Sequence, residues 1–102
     1  MAIVIAHVHP EPGRLQEVLD AYRETVPLIH QEHGCELFAV QTDGESVLIV
    51  ERWTTPEHLQ AHAHGRVYAR IRELIDGALE RPSDVWRLEN IPLGMPTKGT
   101  IQ

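Results

Sequence analysis

The chain has few of the residues that mark specialised classes of protein. It contains one cysteine, Cys35, among 102 residues, so no internal disulfide can form, and a lone thiol favours a reducing cytoplasm. No segment approaches the roughly 20 consecutive apolar residues of a membrane-spanning helix. The short apolar run after Met1 has no basic residues before it, which is not the pattern of a signal peptide. We therefore expect a cytoplasmic protein without a membrane partner.

Basic residues are also scarce. Lysine and arginine together number 9 against 15 acidic residues, and the formal net charge is −6 with neutral histidines. Nucleic-acid binding requires a positive face, so we expect no nucleic-acid partner.

The overall composition is that of an ordinary globular protein: apolar residues make up 42% and charged residues 24% of the chain. The length suits one domain.

What the sequence does contain is a regular alternation of strand and helix patterns. Strands are predicted at 2–9, 35–42, 46–53 and 83–90 from β-branched runs bounded by turn residues. One helix is predicted from 15 to Gly34, with Pro27 kinking or splitting it. Another is predicted from about 55 to 79, broken at Gly65 and closed by Pro82. The order βαββαβ predicts an α+β, ferredoxin-like fold: a four-stranded antiparallel sheet with two helices on one face. Residues 1–91 would form this domain, and 92–102 an irregular C-terminal arm.

Both faces of the predicted sheet are apolar. In the first strand Ile3 and Ile5 alternate with Val4 and Val8, and the third strand repeats the pattern. Two helices can cover only one face, and an exposed apolar surface of that size usually marks an interface. We therefore predict a homodimer that packs sheet against sheet.

Several short motifs, in this order and spacing, resemble one known family over about positions 2 to 90. They are Pro12-Gly13, His33-Gly34-Cys35-Glu36, Glu51-Arg52-Trp53, Leu59, Ala61-His62 and Val85-Trp86-Arg87-Leu88. The chain resembles the antibiotic biosynthesis monooxygenase (ABM) domain family, part of the dimeric α+β barrel superfamily.

The resemblance implies a range of activities. Some members oxidise phenolic or quinol compounds with dioxygen and without metal or flavin, some degrade haem, and others act on small signalling molecules. The leading expectation is a cofactor-independent monooxygenase of a small phenolic or quinol-type compound. The alternatives are a non-catalytic binding or accessory protein on the same fold, and an isomerase or lyase of a small polar substrate.

The candidate site residues are aromatic or carry an imidazole. Trp53 is either a core anchor or an apolar wall for an aromatic substrate. His62 is either a helix-end histidine bonded to backbone or the base that removes a phenolic proton. His7 is either a structural histidine or a second polar group of the pocket. Tyr22 and Tyr68 lie on apolar helix stripes, where core positions are common, but their hydroxyl groups could bind a substrate oxygen.

Metal and haem are not expected. His58 and His62 share a helix face, but no residue at a matching step supplies the third ligand that a metal site normally needs. Haem-degrading members of the family carry an axial histidine farther along the second helix, where this chain has Arg70 or Arg72. The resemblance therefore implies a reaction without metal, haem or another cofactor.

Overall fold

Four strands form one antiparallel sheet in the order β2-β3-β1-β4, in a computed structural model that describes all 102 residues. The elements along the chain are β1 (Ala2–Pro10), α1 (Leu15–His30), β2 (Cys35–Thr42), β3 (Val47–Trp53), α2 (Pro56–Ala63), α3 (Arg66–Ile75), a 3₁₀ turn (Asp76–Ala78), β4 (Leu79–Leu88) and α4 (Pro96–Gly99). The predicted ferredoxin-like fold is confirmed. None of the helices combines the length and the apolar character needed to cross a membrane.

Helix α1 runs without a break through Pro27, so of the two predicted effects of this residue, a kink or a split, the split does not occur. Pro27 is exposed, and at an exposed position water can bond the carbonyl that the proline ring leaves without a donor. The buried side of the helix carries Val18, Tyr22 and Ile29, which pack into the core. Burial of this stripe therefore outweighs one missing hydrogen bond.

The predicted boundary between the last helix and the last strand is wrong. The helix ends at Ile75, a 3₁₀ turn follows, and β4 begins at Leu79 and runs through Pro82. Strand β4 lies at the edge of the sheet, where proline is tolerated because one side of the strand needs no partner. The pairing of β4 with β1 shifts register between His7 and His9, so Pro82 falls in a bulge. The arm after β4 contains one helical turn, α4.

The strand register divides the sheet into two faces. The inner face, which the helices cover, carries Val4, Ala6, Val8, Phe38, Val47, Ile49, Glu51 and Trp53, all of them buried. On the outer face, His7 lies opposite Leu48 in β3 and Asp84 in β4, and Ile5 lies opposite Val50 and Trp86. Leu48 is 38% exposed, Trp86 47% and Leu88 42%. Apart from Ile3 and His9, which are buried, the outer face is therefore largely apolar and open, as the alternation in the sequence predicts.

Candidate active site

A cavity of about 380 Å³ lies between the inner face of the sheet and the helices. This volume falls within the range of small-molecule sites. Thirteen of its 20 lining residues are hydrophobic. The side chains among them that carry a polar atom are Tyr22, Glu51, His62, Tyr68, Arg72, Asp76, Ser83 and Arg87. The wall is thus largely apolar, with a few polar groups that can orient a ligand.

His62 is the most constrained polar group of the cavity. Its side chain projects from α2 and is only 4% exposed. Its Nδ1 atom lies 2.6 Å from Oε2 of Glu32, in the turn after α1. The imidazole has no other hydrogen-bond partner in the protein. Because no fully buried side-chain nitrogen lacks a partner, the unbonded Nε2 atom must be accessible. Nε2 is therefore available to a ligand in the cavity, while Glu32 fixes the ring.

Trp53 lies behind His62 instead of on the cavity surface. It is fully buried, and its ring stacks on the imidazole at a centroid distance of 4.6 Å and an interplanar angle of 28°. The structure therefore gives Trp53 no direct contact with a ligand in this cavity. Its flat face limits the rotation of His62, so its contribution to the site is to hold the imidazole in place.

Glu51 is a buried carboxylate on the cavity wall. Its Oε1 accepts a hydrogen bond of 2.9 Å from Nε1 of Trp53. Burial raises the pKa of this carboxyl, a shift that the bond from Trp53 and the nearby His62 partly oppose. Its hydrogen-bond partner is therefore the indole two residues farther along the same strand. In the alternating pattern of β3, Glu51 falls on the same apolar face as Ile49 and Trp53. An acidic residue at such a position is the sequence signal that could have identified it as part of the site.

The two tyrosines approach the same cavity from different helices. Tyr22 is 5% exposed, and burial together with the charge of Glu51 raises the pKa of its phenol, so it stays protonated and can donate a hydrogen bond. The ring of Tyr68 meets the edge of His62 at 5.6 Å. Both line the cavity, as a substrate-binding role for them requires.

Two arginines lie on the more polar side of the cavity. Arg72, in α3, is paired with Asp76 at 3.0 Å, and Arg87 comes from β4. Both are exposed residues. Arg70, the other position at which haem-degrading relatives would carry histidine, pairs with Glu24 at 2.9 Å and does not line the cavity.

His7 is not part of this cavity. It belongs to the outer face of the sheet, where its Nε2 lies 2.8 Å from Oγ of Ser46. The pattern of β1 grouped His7 with Ile3 and Ile5, and the helices cover the other face. The structure therefore brings His62, Tyr22 and Tyr68 together, with Trp53 one layer behind, and separates His7 from them.

His58 of α2 and His64, the residue that follows this helix, do not line the cavity. His58 bonds Oγ1 of Thr55 through Nδ1 at 2.9 Å and packs on His33, with 4.7 Å between ring centroids. His64 bonds the carbonyl of Gln60 at 2.8 Å.

No pattern in the sequence marks Glu32 as a residue of the site. It lies in an irregular turn, 30 residues before His62, and no periodicity links the two. The only local sign is Gly34, whose φ of +84° reverses the chain after the helix and sets the turn against α2. A contact of this kind depends on tertiary packing.

Fold and cavity together define a small α+β domain with a cavity of small-molecule size beside a buried imidazole. Comparison with known proteins shows to which family this domain belongs. Residues 1–74 match the family model described as antibiotic biosynthesis monooxygenase, and the chain belongs to that family.

Individual relatives agree with this assignment. The protein described as probable quinol monooxygenase YgiN of Escherichia coli K12 is 32% identical over 75 residues, which cover 61% of this chain and 72% of that protein. A crystal structure of an antibiotic biosynthesis monooxygenase superposes with a TM-score of 0.83 at 25% identity, covering 90% of this chain and all of the other. Rv0793 of Mycobacterium tuberculosis shares the fold, with a TM-score of 0.80, 24% identity, and coverage of 93% and 97%.

Proposed function

We propose that this protein is a cofactor-independent monooxygenase that oxidises a small phenolic or quinol-type compound with dioxygen. The observation that carries the proposal is His62, whose Nδ1 is held by Glu32 and whose ring lines a mainly apolar cavity. The family and the 32% identity to a probable quinol monooxygenase support the reaction class.

The proposed reaction begins with proton transfer. Nε2 of His62 takes the proton of a substrate hydroxyl group, and the carboxylate of Glu32 stabilises the imidazolium that forms. The resulting phenolate or quinolate is electron-rich enough to pass one electron to dioxygen. Tyr22, which stays protonated, is placed to donate a hydrogen bond to a substrate oxygen.

The substrate itself supplies the electrons. The superoxide and the substrate radical combine to form a carbon–oxygen bond, and the peroxide that results takes back the proton from His62. The O–O bond then breaks as the ring carbon loses its hydrogen. One oxygen atom stays on the ring and the other leaves as water, so a quinol and dioxygen give a hydroxyquinone and water without an external reductant.

The cavity favours this reaction over the isomerase or lyase alternative. Such an enzyme, acting on a small polar substrate, would need a pocket lined mainly by arginine and acid, whereas 13 of the 20 lining residues here are hydrophobic. A non-catalytic binding protein would show the same cavity but no turnover. Product formation therefore separates it from a monooxygenase.

The outer face of the sheet supports a further part of the proposal. Its exposed apolar residues are Leu48 in β3 and Trp86 and Leu88 in β4. Strand β1 lies between these two strands and adds Ile5, opposite Trp86, so the apolar surface spans three strands. We propose that a second copy of the chain covers this face, as in the dimeric α+β barrel, and that the protein works in the cytoplasm, which suits its free thiol.

The test is dioxygen uptake with a panel of benzene and naphthalene diols, followed by mass analysis of the products. His62→Ala should reduce kcat by roughly 10²- to 10⁴-fold, the usual contribution of a general base. His64→Ala at the end of the same helix is the control and should leave kcat unchanged, because His64 bonds only its own helix backbone. Equal rates in wild type and His62→Ala would remove His62 from the mechanism. Retention of a diol without product would favour the binding protein.

The absence of a cofactor has its own test. Protein dialysed against a strong chelator, with no flavin or haem absorbance, should consume dioxygen at the rate of untreated protein. Recovery of activity only after addition of a metal ion or flavin would contradict this part of the proposal.

A further inference from the structure

A second group of polar side chains lies on the outer face of the sheet, toward the end of β1. His7 and His9 are alternate residues of β1, and their rings are 4.3 Å apart between centroids. Asp84 lies opposite His7 in β4. One potential ligand atom from each of these three residues lies within 4.8 Å of the others. None of the three lines the cavity that holds His62.

We infer that His7, His9 and Asp84 form a binding site for one divalent transition-metal ion of the zinc type. Two imidazole nitrogens and one carboxylate oxygen are a donor set that such ions accept, with a fourth position left for water. Magnesium and calcium prefer sites made of oxygen atoms, so this set selects against them.

The distances require only small movements. Ligand atoms about 2.0–2.2 Å from a tetrahedral ion lie about 3.4 Å apart. The present atoms lie within 4.8 Å of one another, so they must approach by roughly 1 Å. Oδ2 of Asp84 is already 2.8 Å from Nε2 of His9. In the single chain the side chain of Asp84 is 53% exposed, so it can turn toward an ion without disturbing the core. In the proposed sheet-to-sheet dimer the same face is covered, and the ion would lie at the interface between the two subunits.

The backbone positions His7 and His9 before an ion binds. His9 is only 8% exposed, and both residues belong to a strand that is paired on each side. Ser46, which bonds His7, is itself held by the carboxylate of Asp43 through a bond of 3.1 Å. A bound ion would replace the present bonds from His7 to Ser46 and from His9 to Asp84, and Ser46 would remain beside the ion as a support.

The positive charge of Arg81 disfavours a bound cation and so offers a test of the proposed site. Its Nη2 atom lies 3.5 Å from Nε2 of His9, so its positive charge lowers the affinity of the site for a cation. Arg81 is exposed and can swing away when an ion binds. Removal of its charge should therefore strengthen binding, whereas removal of a ligand should weaken it.

The experiment is calorimetric titration of the tag-free protein with zinc chloride, and with magnesium chloride as a comparison. We expect one zinc ion per chain and no comparable binding of magnesium. His7→Asn and Asp84→Asn should each weaken zinc binding by more than the roughly 10- to 100-fold that follows loss of an outer-sphere partner. Arg81→Gln should tighten it. These positions are not deeply buried, and circular dichroism of each variant checks that it folds.

The control is His64→Asn, which removes an exposed histidine distant from β1 and should leave zinc affinity unchanged. Absence of saturable zinc binding would overturn the inference. So would equal affinity in wild type, His7→Asn and Asp84→Asn, which would place any bound zinc on other histidines. An unchanged affinity in Arg81→Gln would contradict the position of the ion beside His9.

Discussion

Nδ1 of His62 and Oε2 of Glu32 are 2.6 Å apart, although 30 residues separate them in the chain. The contact joins the turn after α1 to the last turn of α2. Because one ring nitrogen is occupied by a carboxylate, only the other can accept a substrate proton. This pair therefore decides which atom of the site acts as the base in the proposed reaction.

Glu32→Gln should lower kcat with little change in KM. The substitution keeps the size of the side chain but removes the negative charge that stabilises the imidazolium. The loss should be smaller than the roughly 10²- to 10⁴-fold contribution of a complete base. Steady-state dioxygen uptake over a range of pH measures it. Glu24→Gln is the control, because Glu24 pairs with Arg70 outside the cavity; a loss of equal size there would show a general effect of charge.

Glu51→Gln should stabilise the protein at neutral pH, and the gain should shrink in acid. Burial raises the pKa of Glu51 above its ordinary value of 4.5, so the folded protein binds a proton at a higher pH than the unfolded chain does. The contribution of Glu51 to the free energy of unfolding therefore rises as pH falls through the raised pKa, and it levels off below the unfolded value. Glutamine removes this dependence and still accepts the bond from Trp53.

Thermal unfolding of wild type and Glu51→Gln between pH 4 and pH 8 measures the difference in stability between them and how it changes with pH. Glu36→Gln serves for comparison: Glu36 forms a surface pair with Arg52 at 3.2 Å, worth at most about 1 kcal/mol, and its loss should be slightly destabilising. A Glu51→Gln variant that is less stable than wild type at pH 7 would show that the carboxylate is stabilised in the fold despite its burial.

The sequence was sufficient for the parts of this structure that depend on local pattern. Alternation in β1 and β3 defines two apolar faces and places His7 and Val4 on opposite ones. It could not say which face the helices cover, and so His7 was expected near the cavity. The start of β4 was missed because proline, a helix terminator in most contexts, is tolerated at Pro82 in an edge strand.

The contacts that build the site depend on packing instead. The partners of His62 are Glu32 and Trp53, which come from a turn and a strand end. Their ring and carboxylate positions follow only once α2 is docked on the sheet. A pattern search along α2 finds the imidazole but cannot find what orients it.

Trp86→Arg should convert the proposed dimer into a monomer. Trp86 is 47% exposed on the outer face, opposite Ile5 of β1, and a charged side chain there would be buried without a partner in a sheet-to-sheet interface. Light scattering after size-exclusion chromatography, at micromolar concentration, measures the mass. Leu28→Arg is the matched control, since Leu28 is 48% exposed on α1 and should not affect association. A monomeric wild type would contradict the dimer.

Gly34→Ala should destabilise the protein more than Gly13→Ala does, and it should also lower the activity of the site. Both glycines have nearly the same left-handed backbone, with φ of +84° and +83°, so alanine should cost about 1–2 kcal/mol of backbone strain at each. At Gly13 an added Cβ meets nothing within 4 Å, whereas at Gly34 it would overlap the side chain of His58.

The overlap matters because this turn anchors α2. The backbone N–H of Thr54 donates to the carbonyl of Gly34 at 2.9 Å, and His58 is bonded to Thr55 at the start of the helix. Displacement of His58 would therefore shift the helix that carries His62. Chemical denaturation of the two variants compares their free energies of unfolding, and dioxygen uptake should fall only in Gly34→Ala. Equal losses of stability would mean that His58 moves aside freely and that the turn does not position α2.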